Sequence, residues 1–255
     1  MRGLTDKVVI VTGGAGGIGK ATCCRFAEEG AKVAIFDLNA EAAEAAVAEI
    51  KEAGGVAEAV VVDLTDYEAV QKAVADTESS LGPVDVLVNN AGWDRFTPFL
   101  KTDPDFWQKI ISINLLSVLN MSHVVVAGMA ERGAGRVVNV ASDAGRVGSS
   151  GESVYSACKG GIIAFTKTLA REHARQGLTF NTVCPGLTDT AMFDGFLEAA
   201  GNPDKLRETF RRAIPLGRIG QPDDLPGAIL FLSSDDAAFI TGQTISVSGG
   251  LTMHG

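Results

Sequence analysis

Tyr155 and Lys159 lie four residues apart in "SVYSACKGG" (153–161), where an apolar helical pattern begins. On a helix that spacing puts both side chains on one face. The chain has only two tyrosines, so the placement invites explanation: packing, a surface pair, or a device for moving a proton. A free phenol titrates near pH ~10, and a neighbouring ammonium stabilises the phenolate and lowers that value. Such a phenol can take a proton from an alcohol or give one to a carbonyl. Alone, the spacing is a weak signal. Tyr155 packing in a core while Lys159 reaches solvent satisfies it equally.

Other residues join the pair. Ser142 follows the apolar run "RVVNV" (136–140), and its hydroxyl can hydrogen-bond a substrate oxygen. Asn114 sits in an apolar helical stretch, where an amide is either satisfied structurally or holds a water near a site. "VTGGAGGIGKA" places Gly13, Gly17 and Gly19 between a strand pattern and a helix pattern. Positions without side chains let backbone N–H groups approach a pyrophosphate at a helix N-terminus, where the dipole also favours anions. Asp37 closes the second strand pattern, 20 residues beyond Gly17. That is the spacing of a carboxylate that grips adenosine-ribose hydroxyls. A carboxylate there repels a 2′-phosphate, and neither Leu38 nor Asn39 offers a cation to one, so NAD is expected over NADP.

The elements that must position these residues are legible. Val- and Ile-rich runs at 7–11, 32–36, 56–62, 84–89, 136–140, 178–183 and 243–247 read as strands. Stretches 18–29, 40–53, 66–80, 104–131, 153–175 and 223–233 read as helices. Strand–helix alternation from end to end predicts a single α/β domain over residues 1–255, a doubly wound, seven-stranded parallel Rossmann sheet with helices on both faces. Segment 186–221 reads as irregular, with Gly186, Gly195, Gly201 and Gly217, and is expected to be mobile over the substrate side of a pocket.

Composition narrows the classes. The 255 residues are 46% hydrophobic and 21% charged, with a net charge of −9. That balance excludes a phosphate-neutralising surface, so no nucleic-acid partner is expected. Cys23, Cys24, Cys158 and Cys184 form neither a metal-ligand spacing nor a disulfide framework. No metal is expected, and a reducing compartment is. The apolar stretch "IISINLLSVLNMSHVVVAGM" is interrupted by Asn114, Asn120 and His123 and reads as a buried helix, not a membrane span. The glycine loop comes too early in the chain for a secretory signal, and a cytoplasmic location is expected.

"TGGAGGIG", "NNAG", Asn114, Ser142 and "YSACK", with "CPG" (184–186) and "SVSGG", together resemble the short-chain dehydrogenase/reductase family over essentially the whole chain. The resemblance implies Tyr155 as general acid/base. Lys159 would lower its pKa and bind nicotinamide-ribose hydroxyls, Ser142 would orient the substrate oxygen, and Asn114 would hold a water linking Lys159 to solvent. It implies that Gly13, Gly17, Ile18 and Gly19 contact the pyrophosphate and adenosine, with Asp37 and Leu38 at the ribose. Asp63 and Leu64 would meet the adenine. Asn90, Ala91 and Gly92 would lie along the nicotinamide-side ribose, and Pro185, Gly186, Thr188 and Thr190 would border the nicotinamide. A homotetramer paired through the two long helices is implied as well. Asp143, where many members have a small hydroxyl residue, would affect Tyr155 or face solvent. Ser248, where many have Asp, puts a contact at the C-terminal turn in doubt.

Within the family, "NNAGWD", "SDAGRVGSSGE", "CPGLTDTA" and "SVSGGLTM" are similar to 2-hydroxycyclohexanecarboxyl-CoA dehydrogenases of alicyclic acid degradation. That group oxidises a ring β-hydroxyacyl-CoA with NAD. Trp93, Phe96, Val147, Met192, Phe193 and Phe196 could line an apolar pocket for such a ring, or be ordinary core. Arg95 and Arg146 lie near the expected mouth. The run "KLRETFRR" carries Lys205, Arg207, Arg211 and Arg212, which would meet CoA phosphates or form a solvated helix face. The other readings are a 3-oxoacyl-thioester reductase, on acyl-carrier protein or CoA, another secondary alcohol dehydrogenase, and a silent binding protein.

Overall fold

The computed structural model describes residues 1–199 and 202–253. Seven strands form one sheet: β1 (Val8–Thr12), β2 (Lys32–Asp37), β3 (Val56–Val61), β4 (Val86–Asn89), β5 (Gly135–Val140), β6 (Leu178–Pro185) and β7 (Thr244–Val247). Their order is β3-β2-β1-β4-β5-β6-β7, and every pairing is parallel. Alternate residues of a strand face opposite sides. Val9, Val11, Val33 and Ile35 therefore pack against one helical layer, α1 (Gly17–Glu28), α2 (Ala40–Glu52) and α10 (Pro226–Ser233). Their neighbours Val8, Ile10, Ala34 and Phe36 pack with α3 (Tyr67–Leu81), α5 (Ser117–Arg132) and α7 (Ser153–His173) on the other. Both faces are covered, which is why the inner strands are apolar without a break.

Strand order reverses between β1 and β4, and the crevice beyond their carboxyl ends is where ligands bind in sheets of this kind. The turns after β1, β4, β5 and β6 all open there.

Two expectations need correction. The single helix over 104–131 is α4 (Pro104–Ile111), a π turn (Ser112–Leu116) and α5. The widened turn carries Asn114, whose amide bonds the Ile110 carbonyl at 2.9 Å. Pro104–Arg132 is long and apolar enough to cross a membrane, but half of its most apolar window is buried within the chain. Segment 186–221 is not irregular. It contains α8 (Ala191–Ala199) and α9 (Pro203–Ala213). Asn202 caps α9 by accepting from the Lys205 N–H at 3.2 Å, and Pro203 occupies the first turn. Gly201, named in that segment, lies outside the described residues.

Candidate active site

The glycine loop is held from beneath by a residue the sequence reading passed over. Thr12, the last residue of β1, accepts at Oγ1 from the N–H groups of Asn90 (2.9 Å) and Ala91 (3.0 Å). Asn90 Nδ2 in turn donates to the carbonyls of Thr12 (3.0 Å) and Gly13 (3.1 Å). Asn90 thus ties the end of β4 to the glycine loop. Its amide donors are consumed by main-chain acceptors. The only advance signal for Thr12 was a hydroxyl residue directly before Gly13.

Gly13 and Gly17 have φ values of +60° and +51°, which strain any residue with a side chain. A Cβ on Gly19 would stand 2.0 Å from the Gly13 carbonyl oxygen, so only glycine lets α1 start this close to β1. Gly16 caps α1 without a side-chain bond. The first-turn N–H groups, around Gly17, Ile18 and Gly19, therefore remain available to an anion. Asp37 accepts from the Ala15 N–H at Oδ2 and the Asn39 N–H at Oδ1, both at 3.0 Å, so its carboxylate is fixed at the loop. Leu38 is exposed and Leu64 buried. Asp63 is exposed and closes a turn through Thr65. Across the crevice, a Thr190 methyl stands 3.4 Å from where a Gly17 Cβ would be. Thr188 donates to the Gly186 carbonyl at 3.1 Å, and the Pro185 carbonyl accepts from the Asp143 N–H. An uncapped helix N-terminus, a cradle that tolerates no side chains and a fixed carboxylate at ribose distance in sequence fit an adenine dinucleotide.

The second half of the site is made of side chains. Tyr155 and Lys159 are both buried, 8% and 2% exposed. Lys159 Nζ lies 5.5 Å from the centre of the Tyr155 ring and donates to the Val140 carbonyl at 2.9 Å. Packing and a surface pair are thereby excluded for Lys159: an ammonium is buried beside a phenol. Burial pushes its pKa down to about 8. Burial also pushes the Tyr155 phenol well above its usual value, and the charges of Glu152 and Asp94 add to that. A hydrogen bond with Ser142 pulls the other way. For the chain by itself burial is the largest influence on the phenol, and Tyr155 stands protonated at neutral pH, as a donor.

Asn114 is completely buried. Its Nδ2 donates to the Trp93 carbonyl (2.7 Å) and the Ile110 carbonyl (2.9 Å), and its Oδ1 accepts from the Trp93 N–H (3.1 Å). It clamps the segment after β4 to the π turn, so it is satisfied structurally. Gly92 is squeezed between it and the lysine: a Cβ there would lie 2.9 Å from Asn114 Oδ1 and 3.3 Å from Lys159 Nζ. Asp143 neither touches Tyr155 nor faces solvent. It is 6% exposed and accepts a hydrogen bond from Ser246 on β7. Its charge and burial raise the Cys184 thiol to about 12. Ser248 accepts from the Thr252 N–H and caps the C-terminal turn itself.

Of the residues expected to line a substrate pocket, Phe193 does not. It is core, packed with Leu197, Ile214 and Ile219 beneath α8 and α9. Phe196 meets Phe96 edge-on at 4.7 Å, closing the segment after β4 against α8. Trp93 is half-buried, with Lys109 Nζ over its ring at 4.1 Å. Met192 and Val147 are exposed. Arg146 donates to Ser246 at 2.7 Å, and Arg95 lies over the Phe106 ring. In α9, Arg207 forms a two-pronged pair with Asp189, while Arg211 and Arg212 share Glu208. The basic run is thus largely neutralised by its own neighbours.

The fold and the two half-sites define an oxidoreductase of the dinucleotide-binding α/β class. Residues 13–252 match the family model described as enoyl-(acyl carrier protein) reductase. The chain belongs to the short-chain dehydrogenase/reductase family and acts on hydroxyl or keto groups. It is 42% identical over 246 residues to an acetoacetyl-CoA reductase of Shinella zoogloeoides, covering 96% of this chain and 98% of that one. It is 38% identical over 250 residues to the 3-oxoacyl-[acyl-carrier-protein] reductase FabG of Thermotoga maritima, covering 98% and 99%. The solved structure of NAD+-bound xylitol dehydrogenase superposes with a TM-score of 0.94 at 33% identity, covering 98% of this chain and 100% of that one.

Proposed function

We propose that the protein interconverts β-hydroxyacyl and β-ketoacyl thioesters of CoA, using NAD(H). The observation that carries this is the buried Tyr155, hydrogen-bonded to Ser142 and with the buried Lys159 Nζ 5.5 Å from its ring. When bound, the nicotinamide supplies or accepts the hydride. In reduction, Ser142 and Tyr155 hold the keto oxygen, and Tyr155 gives it a proton as the carbon is reduced. In oxidation the same phenol takes the proton back. Buried Lys159 stands beside the Tyr155 ring and would hold nicotinamide-ribose hydroxyls of a bound dinucleotide. Asp37 takes adenosine-ribose hydroxyls, which supports NAD over NADP. The names of the relatives support a linear 3-oxoacyl substrate. The net charge of −9 supports CoA over an acidic carrier protein as the thioester's handle. Among ring substrates, 2-hydroxycyclohexanecarboxyl-CoA is the one to try first, on the similarity of "NNAGWD", "SDAGRVGSSGE", "CPGLTDTA" and "SVSGGLTM". We read the exposed Ile111, Leu116 and Leu119 on the α4–α5 rod as part of a pairing surface of a cytoplasmic homotetramer.

The test is a panel of linear and cyclic β-ketoacyl-CoA esters with NADH and NADPH, followed at the nicotinamide absorbance. Turnover with NADH and CoA esters is expected. Turnover only with simple polyols, or only with NADPH, sinks the reading.

A further inference from the structure

Ser142 sits on a short turn that is wedged between two larger elements. Its carbonyl accepts from the Gly145 N–H at 3.0 Å, and its hydroxyl accepts from the Ala144 N–H at 3.1 Å. The next carbonyl, that of Asp143, accepts from the N–H groups of Arg146 (2.9 Å) and Val147 (3.0 Å) and so starts α6 (Ala144–Val147). The place of the Ser142 hydroxyl is therefore the place of the whole turn 142–147. On one side the turn is stopped by α7. A Cβ on Gly145 would stand 2.6 Å from the Gly160 main-chain nitrogen and 2.9 Å from Lys159 Cβ, so the turn lies directly against the helix that carries Tyr155 and Lys159. On the other side it is drawn to the sheet. The Asp143 N–H donates to the Pro185 carbonyl at the end of β6, at 3.1 Å. The buried Asp143 carboxylate accepts from the hydroxyl of Ser246 on β7. The same hydroxyl accepts from Arg146 Nη1 at 2.7 Å. Ser246 stands opposite Cys184 in the β6–β7 register, so its position is fixed by the sheet. One hydroxyl on β7 thus joins the two ends of the turn, giving a bond to Asp143 and taking one from Arg146. A carboxylate buried at such a place costs stability that an apolar residue would not.

We propose that Asp143, Ser246 and Arg146 are positioning residues that place the Ser142 hydroxyl, and through it the substrate oxygen, against Tyr155. The bonds to β7 hold the turn from one side while its contact with α7 limits it from the other. Cutting them frees the turn toward β7 and carries Ser142 away from the phenol. Orientation of a reacting oxygen falls off steeply with displacements on the order of 1 Å. The inference rests on Ser142 as the residue that holds the oxygen, not on the choice of thioester.

Ser246→Ala cuts both bonds and leaves every group that touches the substrate in the chain. For the best substrate of the panel, kcat and kcat/KM are expected to fall together by about 10- to 100-fold, while the Kd for NAD stays within about twofold. Ser246→Thr keeps the hydroxyl and is expected to keep kcat within about threefold of wild type. In a Ser142→Ala background, Ser246→Ala is expected to change kcat by less than about twofold, because the group it positions is gone. A role in overall stability alone would lower both backgrounds alike. Amide hydrogen exchange needs no substrate. In Ser246→Ala the N–H groups of Gly145, Arg146 and Val147 are expected to exchange at least about tenfold faster, with those of β5 unchanged. Wild-type kcat in Ser246→Ala, equal losses in the two backgrounds, or wild-type exchange in the turn each overturns the proposal. If Ser246→Ala does not fold, Asp143→Ala cuts the carboxylate side and carries the same test. Failure of every thioester in the panel would sink the substrate reading, and the exchange result would still decide this one.

Discussion

The two halves of the crevice are built from opposite materials. The glycine-loop half works by subtraction: Gly13, Gly17 and Gly19 remove side chains so that backbone N–H groups at the start of α1 face the ligand. The Tyr155 half works by burial of side chains that would otherwise be solvated, a phenol and an amine among them. Backbone donors carry fixed partial charges and hardly respond to pH. Buried titratable groups respond strongly, because desolvation and neighbouring charges decide whether each is ionised. The first half is suited to holding a ligand under any condition. The second is suited to moving a proton.

The largest effect should come from the side-chain half. Tyr155→Phe is expected to lower kcat by about 10²–10⁴-fold while NAD binding, read by fluorescence titration, stays within error. Retained turnover would mean the proton travels by another group. Next comes Lys159→Met, where activity and stability should part. Lys159 is fully buried with its pKa depressed to about 8. The unfolded chain then binds more protons between pH 8 and its free value. The penalty is full below about 8 and is relieved as pH rises, amounting to on the order of 3 kcal/mol at neutral pH. The variant should be more stable than wild type at pH 7 by up to that amount, and nearly inactive. A thermal melt that drops instead would show that the Val140 bond outweighs burial of the charge.

On the backbone half, Asp37→Ala should raise the Kd for NAD about tenfold and the Kd for NADP much less, since a carboxylate that bonds ribose hydroxyls also repels a phosphate. Equal weakening, measured by calorimetry, would remove the selectivity argument. Least of all, Arg207→Ala should leave KM for a CoA ester within about twofold and stability within about 1 kcal/mol, because a half-exposed arginine already paired with Asp189 contributes little. A large rise in KM would put the CoA on α9 after all.

Much of the backbone half was legible beforehand. Its strands, its glycines and Asp37 follow from periodicity and spacing, because a parallel sheet and a tight strand–helix turn impose local rules on residue type. The side-chain half was legible only as a list. Ser142, Tyr155 and Lys159 were named and do meet. Yet how deeply the phenol is buried, and so how firmly it holds its proton in the chain by itself, cannot be counted from one segment. The partners of Asn90 and Asn114 were illegible for the same reason: an amide's partners are main-chain groups brought in by other strands and turns. For Phe193 pocket wall and core were both open, and it is core, because α8 and α9 fold onto each other where an irregular segment was expected.

Local chemistry is written in neighbours along the chain, so residue order alone settled the alternating fold, the anion-ready start of α1 and the presence of a phenol and an amine on one helical face. Which groups are buried together was decided by packing: Asp143 against Ser246, Lys159 against the Val140 carbonyl. These partners lie 103 and 19 residues apart. Their charges are set by the water that three-dimensional packing excludes, and no spacing in the sequence encodes that exclusion.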